Sequence, residues 1–160
     1  MLIEVITWQG ATFSLEWVPS YTPVPDALVK QVSGLCFTED GRIVLISRDG
    51  LEWGLPGGHP EPGEQWPETV QREVTEEACC TVLNTQYLGA QKVVDSTGQV
   101  TYQLRYWCLV NTNAFVENSE ASQRELVPPN EFLRRLSYGH GRIAAEMFSL
   151  GMECFARNRK

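Results

Sequence analysis

The sequence has few histidines and no CxxC cysteine pair. It contains two histidines and five scattered cysteines, at positions 36, 79, 80, 108 and 154. Zinc sites need closely spaced Cys and His ligands, and small disulfide scaffolds normally carry an even number of cysteines. The pattern therefore argues against both, and it predicts free thiols in a reducing compartment, with a cytoplasmic location.

Basic residues and long apolar runs are also scarce. The chain has 13 Lys and Arg against 20 Asp and Glu, a net charge of −7, which argues against holding a nucleic-acid polymer on a broad basic surface. Small anionic substrates stay open, because a bound cation reverses the local field. No apolar run approaches the roughly 20 residues that span a bilayer, and the opening MLIEVITWQG lacks the basic leader of a secretory signal. We expect one domain without a membrane partner.

The spacing of apolar residues predicts strands first, then a helix, more strands and terminal helices. Three pairs of strands are predicted, at 2–8 and 12–18, 29–37 and 42–48, and 81–94 and 100–111. A Gly/Pro-rich loop, 53–64, precedes the helix, and a polar loop, 112–125, follows the last strand. Asn130 is the expected N-cap of a short helix, and 142–157 reads as an amphipathic helix. This order predicts an α/β sandwich with a central mixed β-sheet and an N-terminal β-hairpin.

The helix predicted from residue 66 to about residue 80 carries three acidic residues close together. Its apolar stripe is formed by residues spaced four apart, Val70, Val74 and Ala78. Glu73, Glu76 and Glu77 fall within an arc of roughly 100° beside that stripe. Like charges at this spacing repel one another. Either the face is solvated, or a cation sits among the carboxylates.

Three carboxylates aimed at a common point match what a hard divalent cation requires. Mg²⁺ and Mn²⁺ prefer oxygen ligands and keep waters and substrate phosphates in their shell. Gly57 and Gly58, which have no side chain, allow backbone carbonyls to approach such an ion. Arg72 can hold a carboxylate in place through its planar guanidinium.

The full spacing resembles the Nudix box, G-x5-E-x7-R-E-U-x-E-E-x-G-U, where U is apolar. Gly58 is followed after five residues by Glu64 and after seven more by Arg72-Glu73-Val74-Thr75-Glu76-Glu77, so that the box ends at Cys80. The lead-in Trp53-Gly54-Leu55-Pro56-Gly57 and the later Leu126-Val127-Pro128 are also similar to family segments. The resemblance covers residues 28–136 of a single domain, leaving an N-terminal hairpin extension, 1–27, and a C-terminal helix, 137–160.

This resemblance implies a Nudix-type α/β/α sandwich and a Mg²⁺-dependent hydrolase, with Mn²⁺ as an alternative ion. Its substrate is expected to be a small-molecule nucleoside diphosphate linked to another group X. The positions that match the family's metal ligands are the Gly57 carbonyl, Glu73, Glu76 and Glu77, with Glu125 as a loop glutamate that binds metal in some members. Glu120 and Glu117 are rivals for that last role.

Other roles follow from the same resemblance. Glu64 and Arg72 match a pair that supports the metal shell and orients the catalytic carboxylate. Either Glu76 or Glu77 is expected to activate the attacking water. Candidates for contact with substrate, each also explicable by packing or solvent exposure, are Trp53, His59 and Arg105.

One box position departs from the family pattern, because Cys79 stands where the family has glycine. Glycine there allows a left-handed helix end, so we expect a slightly altered end of the helix. The alternative function is a catalytically silent Nudix-fold module that binds a nucleotide for regulation, although such modules usually lose box acids. For assembly, the expectation is a homodimer built with the N-terminal hairpin.

Overall fold

The computed structural model describes residues 1–159, in which strands and helices follow the predicted order. The strands in this range are β1 (Ile3–Trp8), β2 (Ala11–Pro19), β3 (Val29–Thr38), β4 (Ile43–Ser47), β5 (Trp53–Gly54), β6 (Gly57–Gly58), β7 (Cys80–Val94), β8 (Val100–Thr112) and β9 (Gln123–Val127). The α-helices are α1 (Trp66–Ala78), α2 (Pro129–Arg135) and α3 (Arg142–Asn158), and a short 3₁₀ turn spans Asp26–Leu28.

All the described strands belong to one mixed sheet. Its order is β1-β2-β7-β8-β3-β4-β5, with β6 paired to β3 and β9 paired to β4. The pairing of β3 with β8 is parallel and the other pairings are antiparallel. The first two strands form a hairpin whose two turn residues, Gln9 and Gly10, have φ of 50° and 79°, as a two-residue turn requires. The hairpin joins the sheet through β2 and β7.

Helices cover both faces of this sheet. On one face Val70, Val74 and Ala78 of α1 are each 0% exposed and belong to the same buried cluster as Val32 and Val44. On the other face α3 packs against alternate residues of the same strands, including Leu35, Phe37, Leu45 and Trp107. The expected sandwich with a central mixed sheet and an N-terminal hairpin is therefore confirmed.

Four local expectations need correction. Helix α2 begins at Pro129 with Pro128 as its N-cap, because proline suits the first helical turn, so Asn130 lies inside the helix. The polar loop ends earlier than predicted, since residues from Gln123 pair with β4 as strand β9. The Gly/Pro-rich loop contains the two-residue strands β5 and β6. Helix α1 ends at Ala78, because Cys79 is left-handed.

No helix within residues 1–159 combines the length and apolar character needed to cross a membrane.

Candidate active site

A capping box fixes the start of helix α1. The Gln65 side chain accepts from the backbone N–H of Glu68, and the Glu68 carboxylate accepts from the Gln65 N–H at 2.9 Å. Pro67 lies in the first turn, where a missing N–H leaves no bond unmade. The first turn of α1 is thereby fixed, and with it the face of the helix on which the glutamates lie.

Arg72 lies between two carboxylates, that of Glu64 in the loop before α1 and that of Glu73 on α1. Its Nε and Nη2 donate to the two carboxylate oxygens of Glu64, at 2.8 and 3.1 Å, and its Nη1 donates to Glu73 at 2.8 Å. Its Nη2 also donates to the His59 carbonyl oxygen at 3.1 Å. The hydrogen bonds from Arg72 lower the pKa of Glu64 to about 2. The hydrogen bond with Glu64, and to a smaller extent the one with Glu73, raises the pKa of Arg72. Arg72 thus ties the loop to the helix.

The strand β6 lies directly against the glutamates of α1. The Gly57 N–H donates to Glu77 Oε1 at 3.0 Å. A Cβ on Gly58 would lie 2.7 Å from Glu73 Cδ, and a Cβ on Gly57 would lie 2.6 Å from Ser33 Oγ. Neither position can hold a side chain without displacing these neighbours, so two glycines are needed for the backbone to approach the carboxylates.

Glu77 is a buried carboxylate beside a second carboxylate. Glu77 is 7% exposed and the Glu73 side chain is 12% exposed, whereas the Glu76 side chain on the same helix is 61% exposed. Burial, a hydrogen bond with Glu73 and the nearby charges of Glu73 and Glu120 raise the pKa of Glu77 to about 8, while the Gly57 N–H opposes this shift. Arg72 donates to Glu64 and Glu73 and makes no hydrogen bond with Glu77 among the described residues. The pair Glu73 and Glu77 therefore carries negative charge that the neighbouring side chains leave only partly balanced.

The remaining predicted metal ligands are placed differently. The Glu76 side chain is 61% exposed and lies 3.5 Å from Arg72 Nη1. Glu125 pairs with Leu45 in the sheet, on the face that α3 covers, and its carboxylate binds Arg135. The structure therefore does not bring Glu125 to the glutamates of α1. Glu120, the rival loop residue, contributes to the field at Glu77 and forms an ion pair with Arg48.

The end of α1 is held by Asn118, in the loop that follows β8, and by Arg124 of β9. Cys79 has φ 54° and ψ 46°, the left-handed conformation that glycine usually supplies. Arg124 Nη1 donates to the carbonyl oxygens of Ala78 and Cys79 at 2.9 and 3.2 Å, and Asn118 Nδ2 donates to the Glu77 carbonyl oxygen at 3.1 Å. These donors satisfy carbonyls that the helix leaves free. The sequence interpretation missed both residues, since their roles depend on contacts between distant segments.

The three predicted substrate contacts occupy unlike environments. Trp53 is 7% exposed, packs in the core and carries Arg135 over its ring at 5.7 Å. His59 is exposed, and its carbonyl rather than its imidazole contacts Arg72. Arg105 is 4% exposed and lies in the floor of a cavity on the α3 face. Trp53 and Arg105 are thus both buried and each lines a cavity, whereas His59 is exposed.

The residues at β6 and α1 fit a hard divalent cation in their chemistry. In the described part of the chain no three His, Cys, Asp or Glu side chains converge as a complete ligand set. Mg²⁺, however, commonly uses one or two carboxylates and completes its shell with water and substrate phosphates. The adjacent carboxylates of Glu73 and Glu77, beside a backbone that has no side chain in the way, meet that requirement.

Comparisons with known proteins agree with this arrangement. A family model described as the NUDIX domain matches residues 28–147. A Bacillus subtilis pyrophosphohydrolase, BsRppH, has a similar structure, with TM-score 0.71 and 20% identity over 98% of this chain and 97% of that one. A MutT protein from Bacillus halodurans has TM-score 0.59 and 20% identity, over 75% of this chain and 78% of that one. A C. elegans Ap4A hydrolase has TM-score 0.52 and 18% identity, over 80% and 97%. No curated protein sequence matches. At these identities the structural likeness shows the fold.

Proposed function

The chain belongs to the Nudix family, and from that premise we propose that it is a divalent-metal-dependent hydrolase. Its substrate class is a nucleoside diphosphate joined to a second group, which it cleaves at the diphosphate linkage. The observation that carries this proposal is the contact of Glu73 and Glu77 with the side-chain-free strand Gly57–Gly58. The similar structures named pyrophosphohydrolase and Ap4A hydrolase support the same class of reaction.

The residues that would hold Mg²⁺ or Mn²⁺ are Glu73, Glu76, Glu77 and the Gly57 carbonyl. When bound there, such an ion supplies Lewis acidity toward phosphoryl oxygens and lowers the pKa of bound water. Glu125 remains a predicted ligand from the family pattern, but its ion pair with Arg135 favours Glu120 as the loop carboxylate nearer Glu77. The net charge of this cluster is what draws a cation toward it.

The other roles in the site are orientation of the carboxylates and proton transfer from water. Arg72 orients Glu73 and keeps Glu64 ionised, so it fixes the direction of the carboxylate that faces β6. Glu76, which is exposed, can take a proton from water near the helix surface, and Glu77 can do so only from the buried side. The general base is therefore assigned to one of these two glutamates.

The test is product release from a panel of nucleotide sugars, dinucleoside polyphosphates and nucleoside triphosphates. Each is incubated with Mg²⁺, with Mn²⁺ and with EDTA, and nucleotide products are separated by chromatography. Turnover that needs the metal and falls in Arg72→Gln supports the proposal. Binding of nucleotides without turnover in any metal would contradict it and favour a regulatory module.

A further inference from the structure

A cavity of about 810 Å³ lies on the α3 face of the sheet, beneath the N-terminal hairpin. Its walls include the aromatic rings of Trp8, Trp17 and Tyr138, together with aliphatic side chains of the hairpin and of α3. Polar side chains of neighbouring strands form its floor, namely Gln31, Gln91, Gln103 and Arg105. Its size and its mixture of apolar walls with a few polar groups are typical of a small-molecule site.

Arg105 is a buried cation without a carboxylate partner among residues 1–159. Its guanidinium donates to three neutral oxygens, at 3.1 Å to Gln31 Oε1 and Ser33 Oγ and at 2.9 Å to Gln103 Oε1. Burial lowers the pKa of Arg105. The guanidinium nevertheless stays protonated. A buried charge without a counter-charge is costly, and an anionic or carbonyl ligand would offset that cost.

Two carboxylates line the cavity, those of Glu4 and the exposed Glu52, and neither is among the hydrogen-bond partners of Arg105. Glu4 of β1 lines the cavity, but its Oε1 accepts the Ile143 N–H at 2.6 Å, at the start of helix α3. There it caps the positive end of the helix. The floor therefore keeps the full charge of Arg105 facing the cavity.

The free groups around Arg105 are mainly donors. Because a guanidinium only donates, Gln31 and Gln103 must turn their oxygens toward it, which leaves their NH₂ groups for a ligand. Across the described residues, the buried side-chain polar atoms without a partner are Tyr87 Oη and Trp107 Nε1 alone. The amide nitrogens of Gln31 and Gln103 donate no hydrogen bond within the described residues and are absent from that pair, so they are accessible, and both residues line the cavity.

One acceptor lies beside these donors. Gln91 Nε2 donates to Gln103 Oε1 at 3.0 Å, so Gln91 presents its own oxygen to the cavity. Arg105 and two amide NH₂ groups beside a single acceptor make a floor in which donors outnumber acceptors. The guanine or hypoxanthine edge offers two acceptors, O6 and N7, whereas adenine carries an amino donor in place of O6 and so fits this excess of donors less well.

The cavity floor is also continuous with the glutamate site. Ser33 Oγ, which accepts from Arg105, packs on Gly57, where a Cβ would lie 2.6 Å from it. Gly57 in turn donates to Glu77. Gly54 and Leu55, which lead into Gly57, line the cavity as well. The two sites lie on opposite faces of the sheet and meet at its β5–β6 edge, where Leu55 lines the cavity and Gly57, two residues on, contacts Glu77. A nucleotide whose phosphates bind through a metal ion at Glu73 and Glu77 would direct its base across this edge toward the cavity.

We propose that this cavity binds the nucleobase of the substrate and that Arg105, held by Gln31 and Gln103, selects a carbonyl-bearing base such as guanine or hypoxanthine over adenine. This inference rests on the proposed function, because it names the class of nucleotide that the site takes. The aromatic walls favour a base over a further phosphate, since a ring stacks on Trp or Tyr and a phosphate does not.

The test compares two ligands that differ only at position 6 of the purine. IMP and AMP carry equal charge and have no diphosphate linkage to cleave, so calorimetric titration in EDTA and in Mg²⁺ measures binding alone. We expect IMP to bind at least about fivefold more tightly than AMP, the lower end for one good pair of base-edge contacts. Equal affinities, or no saturable binding of IMP in either buffer, would overturn the inference.

A third ligand separates a base from an added phosphate. Adenosine 3′,5′-bisphosphate keeps the adenine and adds one anionic group. If it binds more tightly than AMP through Arg105 while IMP does not, then Arg105 recognises phosphate and the assignment of the base is wrong.

Two variants separate recognition from a structural role. Gln103→Glu places a carboxylate on Arg105, so we expect a higher Tm and loss of the preference for IMP over AMP. Gln86→Glu makes the same change at an exposed position of β7 and should alter neither. A higher Tm with the preference intact would show that Arg105 serves only the fold. If Gln103→Glu fails to fold, Arg105→Lys, which keeps the charge and loses the planar fork, should lose the preference.

These outcomes are independent of the hydrolase proposal. Metal-dependent turnover with equal binding of IMP and AMP would leave the proposed function standing and overturn the base assignment. A clear preference for IMP with no hydrolysis in the nucleotide panel would support the base assignment and overturn the proposed hydrolase function.

Discussion

Replacing Glu77 with glutamine should stabilise the metal-free protein. Glu77 is 7% exposed, and burial together with Glu73 raises its pKa from 4.5 to about 8. A carboxyl group with a raised pKa in the folded state destabilises folding above pH 4.5, and this penalty grows until about pH 8. At pH 7 the shift corresponds to about 3 kcal/mol. A glutamine has no charge to bury and can still accept the Gly57 N–H.

The assay is thermal unfolding in EDTA at pH 5 and pH 8. Because the site can relax around a charged carboxylate, we expect Glu77→Gln to raise the free energy of unfolding by about 1–3 kcal/mol at pH 8, or Tm by about 2–10 °C. The gain should be at most about 1 kcal/mol at pH 5, where the folded wild type keeps Glu77 protonated and pH 5 lies only slightly above the ordinary pKa of 4.5. Glu76→Gln is the matched control, because its side chain is 61% exposed and should change little. Destabilisation by Glu77→Gln at both pH values would refute the electrostatic explanation.

Three further outcomes are expected. Mg²⁺ should raise Tm relative to EDTA, since binding at 100 times Kd stabilises by about 2.7 kcal/mol, and identical Tm values would show that no ion binds the folded state. Gly58→Ala should lower metal-dependent turnover at least about tenfold, because its methyl group displaces the Glu73 carboxylate. Circular dichroism should show that the fold is retained, and unchanged turnover would show that the position of Glu73 is unimportant. Cys79→Gly should raise the free energy of unfolding in urea by about 1 kcal/mol, because glycine adopts the left-handed conformation of residue 79 without steric strain. Cys79→Ala should bring no such gain, and equal stabilities of the two variants would contradict this explanation of the helix end.

The parts of the fold that depend on local spacing could be predicted from the sequence. The stripe of Val70, Val74 and Ala78 identified the buried side of α1, and all three are 0% exposed. Alternating residues likewise predicted the strand pairs and the N-terminal hairpin. These features follow from the periodicity of helices and strands, which the chain carries within each segment.

The parts that depend on pairing between distant segments could not be predicted. The parallel register of β3 and β8 sets Gln31 opposite Gln103 and Ser33 opposite Arg105, and the pairing of β7 with β8 adds Gln91 to the polar floor of the cavity. Strand β9 forms because β4 offers it a free edge, although its own sequence is polar at the start. Such contacts are decided by tertiary structure and leave little trace in local sequence.

The candidate site shows the same division. Box spacing placed Arg72 between Glu64 and Glu73, and the structure joins these three side chains. Which loop glutamate faces Glu77 depends on the path of the chain after β8. There the sequence favoured Glu125, whose side chain binds Arg135 on the other face of the sheet.

The most direct test of metal-dependent hydrolysis at α1 is the turnover rate of the best nucleotide substrate, measured with Mg²⁺ and with EDTA for the wild type and Glu77→Gln side by side. We expect turnover only with Mg²⁺, and a loss of about 10²–10⁴-fold in the variant although it stays folded. Turnover in EDTA, or full activity in a folded Glu77→Gln protein, would contradict the assignment of the carboxylates at α1 and β6 as the catalytic site.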